Sequence, residues 1–169
     1  VYLDAVFHPN CLDNYRTFLQ EGWHYTLNKE GKLCYSGVVY NEMRGAFSDP
    51  ESVLERYTFH SLFPDTSYGN ESGGDPEDIP KLTYDAFKAF HQRFYHPSNS
   101  FIILYGDMNM EEKLNWIDEA YLQEFERISP HSEIARQQPF GKMVEESQYY
   151  PISEKDSSEN KAYLSYNFV

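Results

Sequence analysis

The chain has 169 residues, with 14 Lys+Arg against 27 Asp+Glu, giving a formal charge of −13 and a pI near 4.8. That balance excludes a nucleic-acid binder, because phosphate neutralisation needs clustered cations, while 40% hydrophobic and 17% aromatic residues exclude a disordered acidic tail. A membrane-spanning helix needs roughly 20 apolar residues, and the best run, Phe101-Ile102-Ile103-Leu104-Tyr105, stops at Gly106-Asp107.

In chain order, Val1 to Phe7 reads as the end of a helix stopped at His8-Pro9. Residues 12–21 place Leu12, Tyr15, Phe18 and Leu19 at helical spacing before Gly22. Trp23, Tyr25 and Leu27 alternate with polar residues, Asn28-Lys29-Glu30-Gly31 offers a turn, and Leu33 and Tyr35 resume the alternation, which predicts a β-hairpin. Residues 37–46 predict a short helix, although Val38-Val39 alone would also suit a strand. Ser48-Asp49-Pro50-Glu51 carries the signals of a helix start, and that helix runs to Phe63-Pro64. Residues 65–80 are too rich in Gly, Pro and Asp for a regular element.

Thr83 caps a helix over 84–94 whose Phe87, Phe90 and Phe94 form an apolar stripe. Residues 101–105, continuously apolar, predict a strand covered on both faces. An amphipathic helix follows over about 110–128, with Leu114, Ile117, Tyr121, Leu122 and Phe125 on one side. Residues 129–160 read as a linker. Residues 161–169 alternate as a strand with nothing after them to pair with, an edge through which a second copy could associate. Both ends look cut through secondary structure, so the chain reads as a fragment.

Chemistry-bearing motifs are sparse. Cys11 and Cys34 match neither a redox pair nor a zinc knuckle and read as reduced thiols. The six histidines, at 8, 24, 60, 91, 96 and 131, include no i, i+4 pair for a metal. No phosphate-binding glycine loop and no nucleophile elbow occurs. One carboxylate stands out: Glu42 lies on the short helix beside Gly37, Gly45 and Ala46, whose small size lets other backbone approach. Composition favours a solvated Glu on the outer face, since burying it without a partner costs several kcal/mol, on the order of what an isolated buried charge demands.

The string Gly37-Val38-Val39-Tyr40-Asn41-Glu42-Met43-Arg44-Gly45-Ala46-Phe47-Ser48 resembles the segment that carries the third zinc ligand in the presequence-protease branch of the pitrilysin/insulinase (M16) metallopeptidases. Leu62 to Gly69, Ser72-Gly73-Gly74-Asp75-Pro76, Ile79 to Thr83, Phe90-His91 with Tyr95-His96-Pro97-Ser98-Asn99, and Tyr105-Gly106-Asp107 follow in the order of that branch. The resemblance implies an α+β fold, a mostly antiparallel sheet covered by helices on one face. Residues 1–128 would be the C-terminal half of the first peptidase domain, 129–160 a linker and 161–169 the first strand of the next domain.

It further implies a zinc metalloendopeptidase that degrades unstructured peptides in an enclosed chamber. In that family an inverted HxxEH helix supplies two histidine ligands and the general base, and a downstream Glu completes the Zn2+ site. HxxEH is absent from these residues, so only the metal-ligand role carries over, onto Glu42. No catalytic residue is assigned, and the chain alone is expected to be inactive and to hold no catalytic zinc tightly. His91, His96, Pro97, Asn99 and Asp107 read as structural, and Ser72 to Pro76 as a structural loop or part of the chamber lining. The location implied is the cytoplasm of a bacterium or an organelle interior of a eukaryote. A non-catalytic member, or the inactive half of a peptidase pair, would share the fold, and an acidic interaction domain would instead present Glu42 exposed and away from small residues.

Overall fold

A computed structural model of the chain describes residues 1–168. Among the described residues it is an α+β structure of six α-helices, several 3-10 turns and one two-stranded antiparallel sheet. Two compact units are present: Val1–Phe18 with Leu82–Glu133, and Leu19–Lys81 with Ile134–Val169.

The first unit contains α1 (Tyr2–Phe7), the start of α2 (Tyr15–Glu21), α5 (Tyr84–Phe94) and α6 (Met110–Ala120). Phe7, Phe18, Ile117 and Tyr121 are its buried apolar residues. The ring of Phe18 sits 5.4 Å from that of Phe87, and Phe7 lies 5.4 Å from Phe125, so aromatic packing supplies much of the core. Thr83 accepts a hydrogen bond from the Ala86 backbone N–H at 3.2 Å, which fixes the start of α5 as the cap pattern requires. The stripe on α5 differs from expectation in one place: Phe90 is exposed and His91 is buried instead. The His91 ring satisfies its polarity against the Val6 carbonyl, 2.8 Å from Nε2, and stacks on Tyr95.

Two predicted elements of this unit are corrected. Residues 101–105 form no strand, and Phe101 and Tyr105 are 99% and 96% exposed. A strand exists only where a neighbour completes its ladder, and among the described residues the sole ladder is the hairpin pair. The helix expected over 110–128 stops at Ala120 and gives way to a 3-10 turn over Leu122–Glu124. Its last turn holds Asp118 and Glu119 and no basic residue, an arrangement that opposes the negative end of the helix dipole.

The second unit carries the hairpin, β1 (His24–Leu27) and β2 (Leu33–Ser36), followed by α3 (Val38–Ala46) and α4 (Pro50–Leu62). Tyr25 pairs with Tyr35 and Thr26 with Cys34. The turn is set by Asn28, whose side-chain oxygen accepts from the N–H groups of Glu30 and Lys32, and by Gly31 at φ +76°. Tyr40, Met43 and Ile79 form the core, with Trp23 and Phe47 packed against it. Residues 161–168 are not in a strand, so the edge proposed for pairing with a second copy is not formed there; position 169 lies outside the described residues.

The start of α4 follows its sequence signals. Asp49 accepts from the Ser52 backbone N–H at 2.9 Å, and Pro50 occupies the first turn. The hydrogen bonds from Ser52 hold the Asp49 carboxyl below its usual range. A carboxyl whose pKa is depressed on folding stabilises the fold above its unfolded pKa, and the contribution disappears as pH falls through the lower folded value. Asp49→Ala is therefore expected to destabilise α4 at neutral pH and to become nearly silent in strong acid, read by chemical unfolding of both proteins across that range.

Candidate functional site

Helix α3 is built to present one face outward. Tyr40 and Met43, three residues apart, turn into the core, while Asn41, Glu42 and Arg44 are exposed. The helix begins at Gly37, whose φ of +152° lies in a region that side chains disfavour. A Cβ there would lie 2.2 Å from the Gly22 carbonyl oxygen, and the Tyr40 N–H donates to that same oxygen at 3.3 Å. Only glycine permits this approach.

The loop after α4 closes on the same helix. Gly73 lies against Met43, with a Cβ at position 73 falling 2.2 Å from the Met43 sulfur. The loop is self-bonded: the Gly74 N–H donates to the Glu71 carbonyl, and the Asp75 backbone carbonyl accepts from Asp78 and Ile79. The Asp75 side chain also accepts from the Glu77 N–H at 2.7 Å. Ser72 to Pro76, the segment read as structural loop or chamber lining, thus packs on the helix that carries Glu42.

Glu42 itself is exposed on α3, with neither a hydrogen bond nor an ion pair to another described residue. Its carboxylate is uncommitted. A hard oxygen donor with no structural partner suits one corner of a zinc site, which takes N and O ligands in about four positions. No group of three or more His, Cys, Asp or Glu among the described residues could hold a metal. One donor fits; a closed site requires others.

A cleft of about 470 Å3 runs between α3, α4 and residues 67–72, lined by Met43, Phe47, Arg56 and Phe59 among others. The Arg56 guanidinium carbon lies over the Phe47 ring, 3.0 Å from its centre, and its Nε and Nη1 are buried without a hydrogen-bond partner among the described residues. Sequence reading missed this pair, because nothing local to Arg56 signals a stacking partner nine positions earlier, in the turn after α3.

The other motif residues are occupied structurally. His96 Nδ1 accepts from the Ser98 N–H at 3.1 Å and the ring meets Phe125 edge-on. Pro97 opens the 3-10 turn Pro97–Asn99. Asn99 donates to the Phe94 carbonyl at 2.9 Å and accepts from the Ser132 hydroxyl. Asp107, read as structural, does not cap α6; the side chain of Asn109 does, accepting from the Glu112 N–H.

Residues 81–169 match the family described as Peptidase M16 inactive domain. The chain is 51% identical over 170 residues to "Protein HypA" of Clostridium perfringens, covering all of this chain and 18% of that relative. It is 45% identical over 172 residues to "Presequence protease 1, chloroplastic/mitochondrial" of Arabidopsis thaliana, again covering all of this chain and 16% of the relative. With "Presequence protease, mitochondrial" of Drosophila melanogaster it shares 43% identity over 142 residues, 82% of this chain and 14% of the relative. The chain spans less than a fifth of the length of these relatives. No helix among the described residues is long and apolar enough to cross a membrane. With more than half of its residues matched to that family and presequence proteases among its relatives at 43% and 45% identity, the chain belongs to the peptidase M16 family, in the presequence-protease branch.

Proposed function

We propose that these residues are part of a zinc metalloendopeptidase that degrades unstructured peptides in an enclosed chamber, and that Glu42 is the carboxylate ligand of its metal. The observation that carries this reading is the M16 match over residues 81–169 together with presequence proteases at 45% and 43% identity; Glu42 is exposed on α3, an exposure that the acidic interaction-domain reading also expects. The names of the Arabidopsis and Drosophila relatives support the activity, and the M16 match supports the class. Zinc, when bound, supplies Lewis acidity at the scissile carbonyl and lowers the pKa of a water. The part of this chain is to bind: Glu42 contributes one oxygen and one negative charge, and α3, fixed at Gly37 and Met43, holds that oxygen in place.

The two histidine ligands and the general base would come from outside residues 1–169, so this segment alone neither cleaves peptides nor holds zinc tightly. In domain terms, residues 1–128 belong to the first peptidase domain, 129–160 lead across, and 161–169 open the next. The substrates are extended peptides; the relatives' names favour an organelle interior for a eukaryotic source, and for a bacterial source the location proposed is the cytoplasm. The acidic surface favours solubility first.

The test is peptide cleavage by the full-length polypeptide, with and without a chelator. Loss of cleavage with the chelator and recovery on adding Zn2+ is expected; cleavage indifferent to the chelator contradicts the metal mechanism. A second reading, a scaffold member without catalysis, draws support from the description of the matched family as an inactive domain. It predicts no cleavage under either condition.

A further inference from the structure

We propose that the cleft between α3, α4 and residues 67–72 is a seat for an extended, uncharged stretch of peptide: its backbone carbonyls accept from Arg56, and an apolar side chain lies against Phe47 and Phe59. The peptidase reading enters only through the kind of ligand, a peptide, and the metal role of Glu42 is not needed.

Arg56 is the group in this unit whose chemistry the fold leaves unused. Its Nε and Nη1 are buried and meet no acceptor among the described residues. Buried donors in this state are destabilising, and each calls for a functional or structural reason. What holds the side chain is the Phe47 ring, whose centre lies 3.0 Å from the guanidinium carbon, with the Tyr57 ring centre at 5.8 Å. A ring face attracts the positive charge but accepts none of the in-plane N–H bonds in the way an oxygen does. The guanidinium is thus positioned by aromatic contact, with donors to spare.

The space beside it has the size and lining of a ligand site. The cleft holds about 470 Å3, inside the range of about 300–1,000 Å3 common for pockets that take organic ligands. Met43, Phe47 and Phe59 give it apolar wall, and Glu55 and Glu71 also line it, so that Arg56 is the one cation facing two carboxylates. A free anion drawn to Arg56 would be repelled by both glutamates, whereas a backbone carbonyl accepts hydrogen bonds without net charge. The donor directions agree with this. Nε and Nη1 do not belong to the same parallel pair of N–H bonds on the planar guanidinium, so one carboxylate cannot take both. An extended chain, with a carbonyl every ~3.3 Å, can offer each its own oxygen. Because Nε and Nη1 are closed to water, the peptide reaches them by moving a lining side chain aside. Those of Glu55, Tyr68 and Asn70 are exposed and can swing outward, and the unbranched thioether of Met43 adapts its shape.

The test uses the full-length polypeptide with a chelator present, so that binding is read apart from cleavage. The probe is a short peptide of Phe and Gly, acetylated and amidated so that it carries no charge, titrated by calorimetry. Arg56→Met is expected to weaken its binding about 10- to 100-fold, the loss that accompanies removal of hydrogen bonds to a charged group. The melting midpoint of this variant should stay the same or rise, since the fold loses an unsatisfied buried charge and no bond. Asn70→Trp, which fills part of the cleft and leaves Arg56 in place, should weaken binding by a similar factor at an unchanged midpoint. Arg56→Lys keeps the charge, lacks the planar donors and should not restore affinity. The same peptide with a free C-terminal carboxylate should bind no more tightly than the amide.

Unchanged binding in both Arg56→Met and Asn70→Trp overturns the proposal. Tighter binding of the free acid overturns it too, because the cleft would then be an anion site. So does failure of the original protein to bind the probe, and a lower midpoint in Arg56→Met would in that case show that another part of the polypeptide satisfies the guanidinium. Cleavage of peptides by a protein with no response at Arg56 overturns the seat alone. Binding through Arg56 in a polypeptide that never cleaves supports the seat and removes the peptidase reading.

Discussion

Glu42→Gln, made in the full-length polypeptide, is expected to weaken zinc binding by at least about 100-fold, more than the loss of a supporting residue costs, and to abolish peptide cleavage. The substitution keeps size and shape but replaces a charged oxygen donor with a neutral amide. Because the side chain is exposed and makes no hydrogen bond or ion pair among the described residues, nothing in the fold depends on its charge. The melting midpoint of the zinc-free protein should therefore stay close to that of the original. This combination separates a ligand from a structural carboxylate. A structural Glu would lower the midpoint first and zinc affinity only as a consequence. Isothermal titration with Zn2+, alongside thermal unfolding of the apo protein, reads both.

Gly37→Ala should produce the largest loss of stability of any single methyl addition in the second unit. The added Cβ would stand 2.2 Å from the Gly22 carbonyl oxygen and 2.8 Å from the Trp23 Cα, both backbone atoms that no rotamer change can move. The φ of +152° adds backbone strain for any residue with a side chain. Overpacking against fixed atoms costs about 1–3 kcal/mol, and a disfavoured backbone region a similar amount, so a total of roughly 3 kcal/mol or more is expected. For a domain of this size that corresponds to a fall in melting midpoint of about 6–12 °C. Circular dichroism on heating measures it, and a midpoint within experimental error of the original would mean that α3 does not start against Gly22.

These two positions were not equally legible from the sequence. Glu42 stood out because of its neighbours and because the surrounding string resembles a known ligand segment. Gly37 could be noticed only as a small residue beside it, since the Gly22 carbonyl that makes glycine obligatory lies across the hairpin. Local chemistry carried well wherever the partner was a few residues away. Thr83 caps the helix it was expected to cap, Asp49 takes the cap that the Ser48-Asp49 pair offered α4, and Asn28 with Gly31 closes the hairpin. It failed where the partner is distant or sits on another element. Residues 101–105 look like a buried strand by composition, but hydrophobicity cannot supply the neighbouring ladder that a strand requires. His91 took the core position that spacing assigned to Phe90, because a carbonyl of α1 happened to lie within reach of its ring. Arg56 and Phe47 were invisible as a pair for the same reason.

The hierarchy within the second unit follows from these contacts. The hairpin turn and the caps define where elements begin. The glycine contacts at Gly37 and Gly73 define how closely α3 is approached by the rest of the unit. Tyr40, Met43 and Ile79 exclude water beneath it. What remains on the outer face of α3 is Asn41, Glu42 and Arg44.

The most direct measurement is X-ray absorption at the zinc edge of the full-length polypeptide, compared with its Glu42→Gln variant. Coordination by Glu42 predicts an oxygen scatterer at about 2.0–2.2 Å alongside nitrogen ligands in the original protein, with the carboxylate contribution lost in the variant. Superimposable spectra from the two proteins would contradict it.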